Sequence, residues 1–234
     1  MSHEDPQNPW RPPSDVEAKA AALLVNDPLH GSEEVREFFG GTFKDVSAFA
    51  ALLAVEGETR GLLGPREYDR LWERHILNSA AVVPFLPAGS VADVGSGAGL
   101  PGVVIAAMER SRHVVLIEPM ERRVAWLKDV TGAMGLDNVE VVRGRAEELG
   151  IEVSCVTARA VASVDKLVKW CSPLVAPGGE LVFLKGRYAR DELTSARHVL
   201  RKARWEAEVL EGTTLDGLEA TTVVRLRRPG VTGD

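Results

Sequence analysis

One stretch constrains this chain more than any other. Val91-Ala92-Asp93-Val94 reads as a short apolar strand, and Gly95-Ser96-Gly97-Ala98-Gly99-Leu100-Pro101-Gly102 follows it directly, before a helical pattern begins. A strand that ends in closely spaced glycines and passes into a helix lets a ligand approach backbone N–H groups and a helix N-terminus. Two cofactor classes use such a turn. Gly97, Gly99 and Gly102 satisfy the dinucleotide spacing, whereas Gly95, Gly97 and Gly99 satisfy that of S-adenosylmethionine binders. Asp93 selects the second. A carboxylate two residues before the first glycine repels a pyrophosphate and suits an ammonium and a sulfonium. At about 4 Å the interaction is worth about 4 kcal/mol for an effective dielectric near 20. The plainer alternative for Asp93 is a helix or turn cap.

Glu118 lies 23 residues after Gly95, at the end of the second expected strand. An acid there can accept both ribose hydroxyls, which fits either cofactor class. Gly144-Arg145-Ala146-Glu147 follows the third expected strand, where backbone groups and Glu147 can frame an adenine edge.

The flanking pattern sets the fold class. Val91–Val94, Val114–Ile117, Val139–Val142, Val153–Thr157 and Glu180–Leu184 read as strands, with helical patterns at Pro101–Glu109, Met120–Met134, Ala146–Leu149 and Val164–Val175. Such alternation predicts a doubly wound, Rossmann-like α/β sheet with a parallel core. A helix over Arg190–Arg204 then leads to two runs, Trp205–Glu211 and Ala220–Arg227, expected as an antiparallel pair closing the sheet. Before residue 90 only helical patterns occur: a weak one over Ser14–Phe39, a better one over Phe43–Val55, and a long one from Tyr68 to about Phe85. The expected division is an acidic, partly disordered extension (1–40, with a proline-rich lead-in over 1–13), a helical cap (41–88) and the sheet domain (89–234).

Composition narrows the function classes. With 234 residues and 45% apolar content, the chain is neither disordered overall nor a small disulfide scaffold. Its two cysteines, Cys155 and Cys171, fall inside a strand and a helix and read as core; Trp126, Trp170 and Trp205 do as well. No apolar run approaches a membrane span, and the N-terminus has no basic region followed by an apolar stretch, so a cytoplasmic protein is expected. The histidines have no metal-ligand spacing, and no metal is predicted. The net charge is −6, but residues 1–45 carry net −5 and residues 151–234 net +2. An RNA partner therefore stays open despite the acidic total.

At this point the motifs identify a family resemblance. WERHILNSA, ADVGSGAGLPGVVIA, LIEPMERRVAWLKDV, VVRGRAEEL, VTARAVASVDKLVKW and VFLKG occur in that order. From about Val46 to Arg227 the chain resembles the RsmG (GidB) family, bacterial S-adenosylmethionine-dependent methyltransferases acting on guanine N7 in small-subunit (16S) ribosomal RNA. The resemblance implies cofactor contacts at Gly95, Leu100, Ala146, Glu147 and Arg159, with Asp93, Gly97 and Glu118 around them. It also implies that Arg145, Arg159 and Lys185 flank the RNA entrance. The chain departs from the family pattern at Gly61-Leu62-Leu63-Gly64 and at Asn78, both on the expected acceptor side.

The residues fit that chemistry in their own right. Guanine N7 has a free lone pair, so methyl transfer needs positioning and no general base. No Ser/His or His/Asp arrangement stands out near the strand ends. After the fourth strand stands Thr157-Ala158-Arg159-Ala160, in place of the proline-rich turn used on exocyclic amines. Arg159 suits a clamp on a phosphate or carboxylate. His75 either packs or contacts RNA. The basic helix Arg190–Arg204 either tracks phosphates or is a solvated face. The expected partner is small-subunit ribosomal RNA, with no DNA or membrane and a monomeric enzyme. The alternatives are a methyltransferase for a small-molecule or protein acceptor, a nicotinamide-dependent oxidoreductase and, last, a binding module.

Overall fold

The structure is a computed structural model that describes residues 13–229. Apart from Pro13, the expected lead-in lies outside the described residues. Helices α1 (Ser14–Leu23), α2 (Glu33–Phe39) and α3 (Phe43–Glu56) come first. The weak pattern expected over Ser14–Phe39 is split at a turn built on buried Asp27. Its carboxylate accepts from the amides of Leu29 at 3.0 Å and Trp72 at 2.9 Å. The joined stretch Glu33–Glu56 is long and apolar enough in composition to cross a membrane, contrary to the expectation above. In this fold α3 buries Val46, Phe49, Ala50 and Leu53 in the protein's own core.

The expected long helix over Tyr68–Phe85 is also broken. It comprises a 3-10 turn (Pro65–Arg70), a π-helical segment (Trp72–Leu77), the short helix α4 (Asn78–Ala80) and a second 3-10 turn (Val83–Phe85). The amide of Asn78 reaches the carbonyl of Glu73, five residues back, which widens the turn.

The remainder alternates as the pattern requires: β1 (Val91–Val94), α5 (Gly102–Met108), β2 (Val114–Glu118), α6 (Glu121–Ala133), β3 (Val139–Arg143), β4 (Val153–Arg159), α7 (Val164–Cys171), β5 (Val175–Lys185), α8 (Ala189–Lys202), β6 (Glu206–Gly212) and β7 (Thr221–Arg227). The expected helix at Ala146–Leu149 is one 3-10 turn, Ala146–Glu148. The sheet order is β3-β2-β1-β4-β5-β7-β6; the first five strands are parallel, and β7 runs antiparallel to both β5 and β6.

Helices cover both faces, so the central strands are buried throughout: every residue of β1 and β2 is buried, Asp93 and Glu118 included. Side chains alternate between two cores, with Val114 and Leu116 in one and Val115 and Ile117 in the other. The first core joins α1 and α3 to α5, α6 and the sheet, so the N-terminal helices share the sheet's core. The second lies under α7 and α8. Both cysteines are fully buried in these cores.

Candidate functional site

Strand order reverses at β1, whose neighbours are β2 and β4, and open α/β sheets bind ligands at the carboxyl ends of strands at such a point. A cavity of about 450 Å³ lies there, walled by the segments that follow β1, β2, β3 and β4. Gly95, Gly97 and Gly99 have φ of 72°, 54° and 99°. At Gly95 a Cβ would also stand 2.8 Å from Val161 Cγ2, so only glycine fits the turn. Glu118, 1% exposed, braces this loop. Its Oε2 accepts from the Gly97 amide at 3.0 Å, its Oε1 accepts from the Met120 amide at 2.9 Å, and Arg123 Nη1 is 3.8 Å away. Trp126 Nε1 donates to the Ala98 carbonyl from beneath at 3.0 Å.

Asp93 and Gly99 were expected as cofactor contacts, and neither is on the cavity wall. Strand alternation turns Asp93 toward α5, where Oδ2 accepts from the Gly102 amide at 3.0 Å and Oδ1 is buried without a partner among the described residues. Burial pushes its pKa up to about 7, against the lowering effects of the Gly102 amide and Arg159. Gly102 is a packing glycine. A Cβ there would fall 2.3 Å from Leu116 Cδ2 and 2.7 Å from Asp93 Oδ2, so the last glycine of the dinucleotide spacing serves helix–sheet contact. A Cβ on Gly99 would meet Val103 and Phe49, inside the core.

The opposite wall is Arg159-Ala160-Val161, with Ala160 at φ 55°, a backbone conformation that side chains disfavour. Arg159 is held from behind. Nη1 donates to the Arg74 carbonyl at 3.0 Å and to Asn78 Oδ1 at 3.2 Å, and Nη2 lies 3.1 Å from His75 Nδ1. The π-helical turn supplies the first acceptor, because the Asn78 amide bonds to Glu73 and the Arg74 carbonyl takes Arg159. A guanidinium only donates, so His75 Nδ1 accepts and its Nε2–H donates to Glu67 Oε2 at 2.6 Å. Burial, then the neighbouring Arg159, lowers the His75 pKa, consistent with a neutral ring. Burial lowers the Arg159 pKa to about 10, which leaves it charged at neutral pH. Asn78 Nδ2 donates onward to Thr221 Oγ1 at 2.9 Å.

Lys185 departs from its expected place at an RNA-facing rim. Its side chain is 9% exposed, with Nζ 2.7 Å from Glu192 Oε2 and donating to the Ala162 carbonyl at 2.8 Å. Glu192 Oε2 also accepts from the Val164 amide at 2.9 Å, so this pair fastens α8 to the start of α7. Arg145 is on the cavity wall and exposed, its side chain unpaired among the described residues.

A family model described as rRNA small subunit methyltransferase G (GidB) matches residues 42–215. A protein of that name from Bifidobacterium longum is 43% identical over 216 residues, covering 86% of this chain and 98% of its own. Another, from Beutenbergia cavernae, is 49% identical over 199 residues, covering 83% and 94%. The chain belongs to the GidB family. Among solved structures, a SAM-dependent methyltransferase from Aquifex aeolicus matches with a TM-score of 0.53 at 17% identity, over 74% of this chain and 98% of that one. A predicted O-methyltransferase from Agrobacterium tumefaciens matches at 0.53 and 18%, over 67% and 82%. These two likenesses bear on fold alone.

As a member of the GidB methyltransferase family the chain takes its methyl group from S-adenosylmethionine, and the cavity fits that molecule in volume and in the glycine turn, where a Cβ on Gly95 would collide. Of the residues singled out in the GidB-like motifs, Gly95, Gly97, Leu100, Glu118, Arg145, Ala146, Glu147 and Arg159 share the wall. Sequence reasoning missed Leu62, Met120, Arg123, Val161 and Trp170. Trp170, read as core, is only half-buried and lines the cavity; α7 sends Val164, Leu167, Val168 and Cys171 inward instead. Leu62 lies in the segment that departs from the GidB pattern, so the helical region contributes directly to this wall. Arg123 stands inside a quoted motif, where its position after Glu118 was the available signal.

Proposed function

We propose that this chain transfers a methyl group from S-adenosylmethionine to N7 of one guanine in 16S ribosomal RNA, acting as a cytoplasmic monomer on RNA and on neither DNA nor membranes. The supporting observation is the pairing of a glycine-loop cavity with a half-buried, charged Arg159 held by the Arg74 carbonyl, Asn78 and His75. In this reading Gly95, Gly97, Leu100, Glu118, Ala146 and Glu147 hold the cofactor, while Arg145 and Arg159 position the acceptor. When bound, the cofactor supplies an electrophilic methyl carbon, and the N7 lone pair takes it with no proton leaving the base.

The side chains match that need. Burial raises the pKa of both cysteine thiols, which keeps them protonated and unsuited to nucleophilic catalysis on a pyrimidine. His75 has both ring nitrogens engaged, one by Arg159 and one by Glu67, and so has none left to accept a substrate proton. Asp93 is buried behind the loop. Positioning and a guanidinium remain, which is what a base-free transfer calls for.

The test uses methyl-labelled S-adenosylmethionine with 16S RNA and with small subunits, followed by borohydride and aniline, which cleave RNA at N7-methylguanine. Cleavage at a single guanine is expected. Label that resists aniline, or that resides in protein, would overturn the reading in favour of another acceptor.

A further inference from the structure

Helix α8 carries a line of arginines that the methyl-transfer site does not use. Its buried residues are Ala189, Ala196 and Leu200, and the same steps of seven and four, turned about 100° round the helix, give Arg190, Arg197 and Arg201. These three and Arg204 are exposed, and among the described residues their side chains have no ion pair or hydrogen bond. Other exposed arginines without a partner among the described residues, Arg66, Arg122 and Arg145, lie in separate segments, whereas these four follow one another along a single helix and its end. At the C-terminal end of α8, Arg197, Arg201 and Arg204 line a groove with Leu200 and Trp205. The helix starts four residues after β5 ends, at the sheet edge that bears the cavity, and its 14 residues reach about 21 Å from there.

A chain of net charge −6 that sets unpaired guanidiniums along one helix face presents a local field of the opposite sign. The spacing suits a polyanion. Arg190 to Arg197 spans about 10 Å and Arg197 to Arg201 about 6 Å along the axis, comparable to one or two phosphate steps. We propose that this face, ending in the groove at Trp205, grips ribosomal RNA phosphates outside the methyl-transfer site. The proposal rests on the reading of RNA as the acceptor. It gives the enzyme a second hold on the substrate, whose role is affinity and register and which touches no reacting atom.

The test is the triple variant Arg197→Gln/Arg201→Gln/Arg204→Gln beside its Lys counterpart. Fluorescence anisotropy with 16S RNA fragments is read across a salt series, and methyl transfer is read by KM and kcat. The Gln variant should lower the slope of log affinity against log salt by about two units and raise KM for RNA at least about tenfold, with kcat held within about twofold. Adenosylhomocysteine affinity and melting temperature should match wild type, and the Lys variant should restore most of the binding. A slope and affinity equal to wild type would overturn the proposal. Loss confined to assembled subunits and absent on naked RNA would also overturn it, in favour of a ribosomal-protein contact. Failure of the parent reading looks different: wild type would then place no methyl group on guanine N7, whatever the binding comparison between variants shows.

Discussion

The two walls of the cavity are built on different principles. The wall from β1, β2 and β3 is largely backbone: Gly95 and Gly97 at positive φ, amides tied to Glu118, and the Gly144–Glu147 turn. Each piece is local in sequence and follows a strand end. The wall at Arg159 is a side-chain assembly, in which a guanidinium from β4 meets acceptors 81 to 85 residues earlier in the chain. The first wall tolerates little change in residue size at Gly95 and Gly144, because a Cβ there collides with Val161 or Leu149. The second tolerates substitutions that preserve donors and acceptors, and fails when a charge loses its partners. Shape governs one side and hydrogen-bond bookkeeping the other.

The largest expected effect tests the backbone wall. Gly95→Val places a β-branched residue at φ 72° and a Cβ 2.8 Å from Val161 Cγ2. Calorimetry should show adenosylhomocysteine binding weakened at least about a thousandfold, or ~4 kcal/mol. Binding within tenfold of wild type would mean that the loop rebuilds and shape does not govern.

Asp93, beneath the same loop, gives the next largest effect, and it depends on pH. Its folded pKa of about 7 lies above the unfolded value near 3.9. The folded protein therefore keeps a proton that the unfolded chain releases, and this stabilisation, full below about pH 4, is lost as pH rises to about 7. Asp93→Asn stays neutral and can still accept from Gly102. Denaturant titrations should find the variant gaining on wild type by on the order of 3 kcal/mol between pH 4 and 7. A stability difference independent of pH would show that Asp93 is ionised in the fold.

Arg159→Lys examines the side-chain wall. A lysine keeps the charge but cannot serve Arg74 O, Asn78 Oδ1 and His75 Nδ1 together from a planar fork. Methyl transfer to 16S RNA should fall about thirtyfold in kcat/KM, or ~2 kcal/mol. Full activity in the lysine variant would reduce Arg159 to a point charge.

The smallest effect is assigned to His75→Gln. A glutamine can accept from Arg159 through its carbonyl and donate to Glu67 through its amide, so turnover at neutral pH should stay within about tenfold, or 1.4 kcal/mol. Burial lowers the wild-type histidine pKa. Below about pH 6.5 the unfolded chain takes up the proton that the folded ring resists, so His75 costs stability as pH falls. The variant should be the less acid-sensitive protein in thermal melts from pH 7 to 5. A turnover limb near pH 7 that vanishes in the variant would make His75 a base and break the positioning account.

Legibility in the sequence followed the same division. The strand–glycine–helix run, the second-strand acid Glu118 and the Arg145–Glu147 turn could be read directly, because each needs only its own neighbours and a known period. Lys185 was misplaced because a basic residue after a strand looks the same whether it meets solvent or Glu192. Asp93 was assigned to the ligand on charge alone, but the strand's alternation, together with the closeness of α5 that Gly102 permits, decided where it points. His75, weighed between core and RNA contact, does something that neither reading contained.

The sequence by itself determined the alternating α/β architecture and the glycine turn, since periodicity and glycine stereochemistry act over a few residues. Only the tertiary structure decided that β7 inserts between β5 and β6, that the N-terminal helices share the sheet's core, and that a π-helical turn releases the Arg74 carbonyl to Arg159. Those outcomes depend on which buried donors and acceptors meet across long loops. A buried polar group must find a partner wherever the fold offers one, and the local pattern does not say which one it will be.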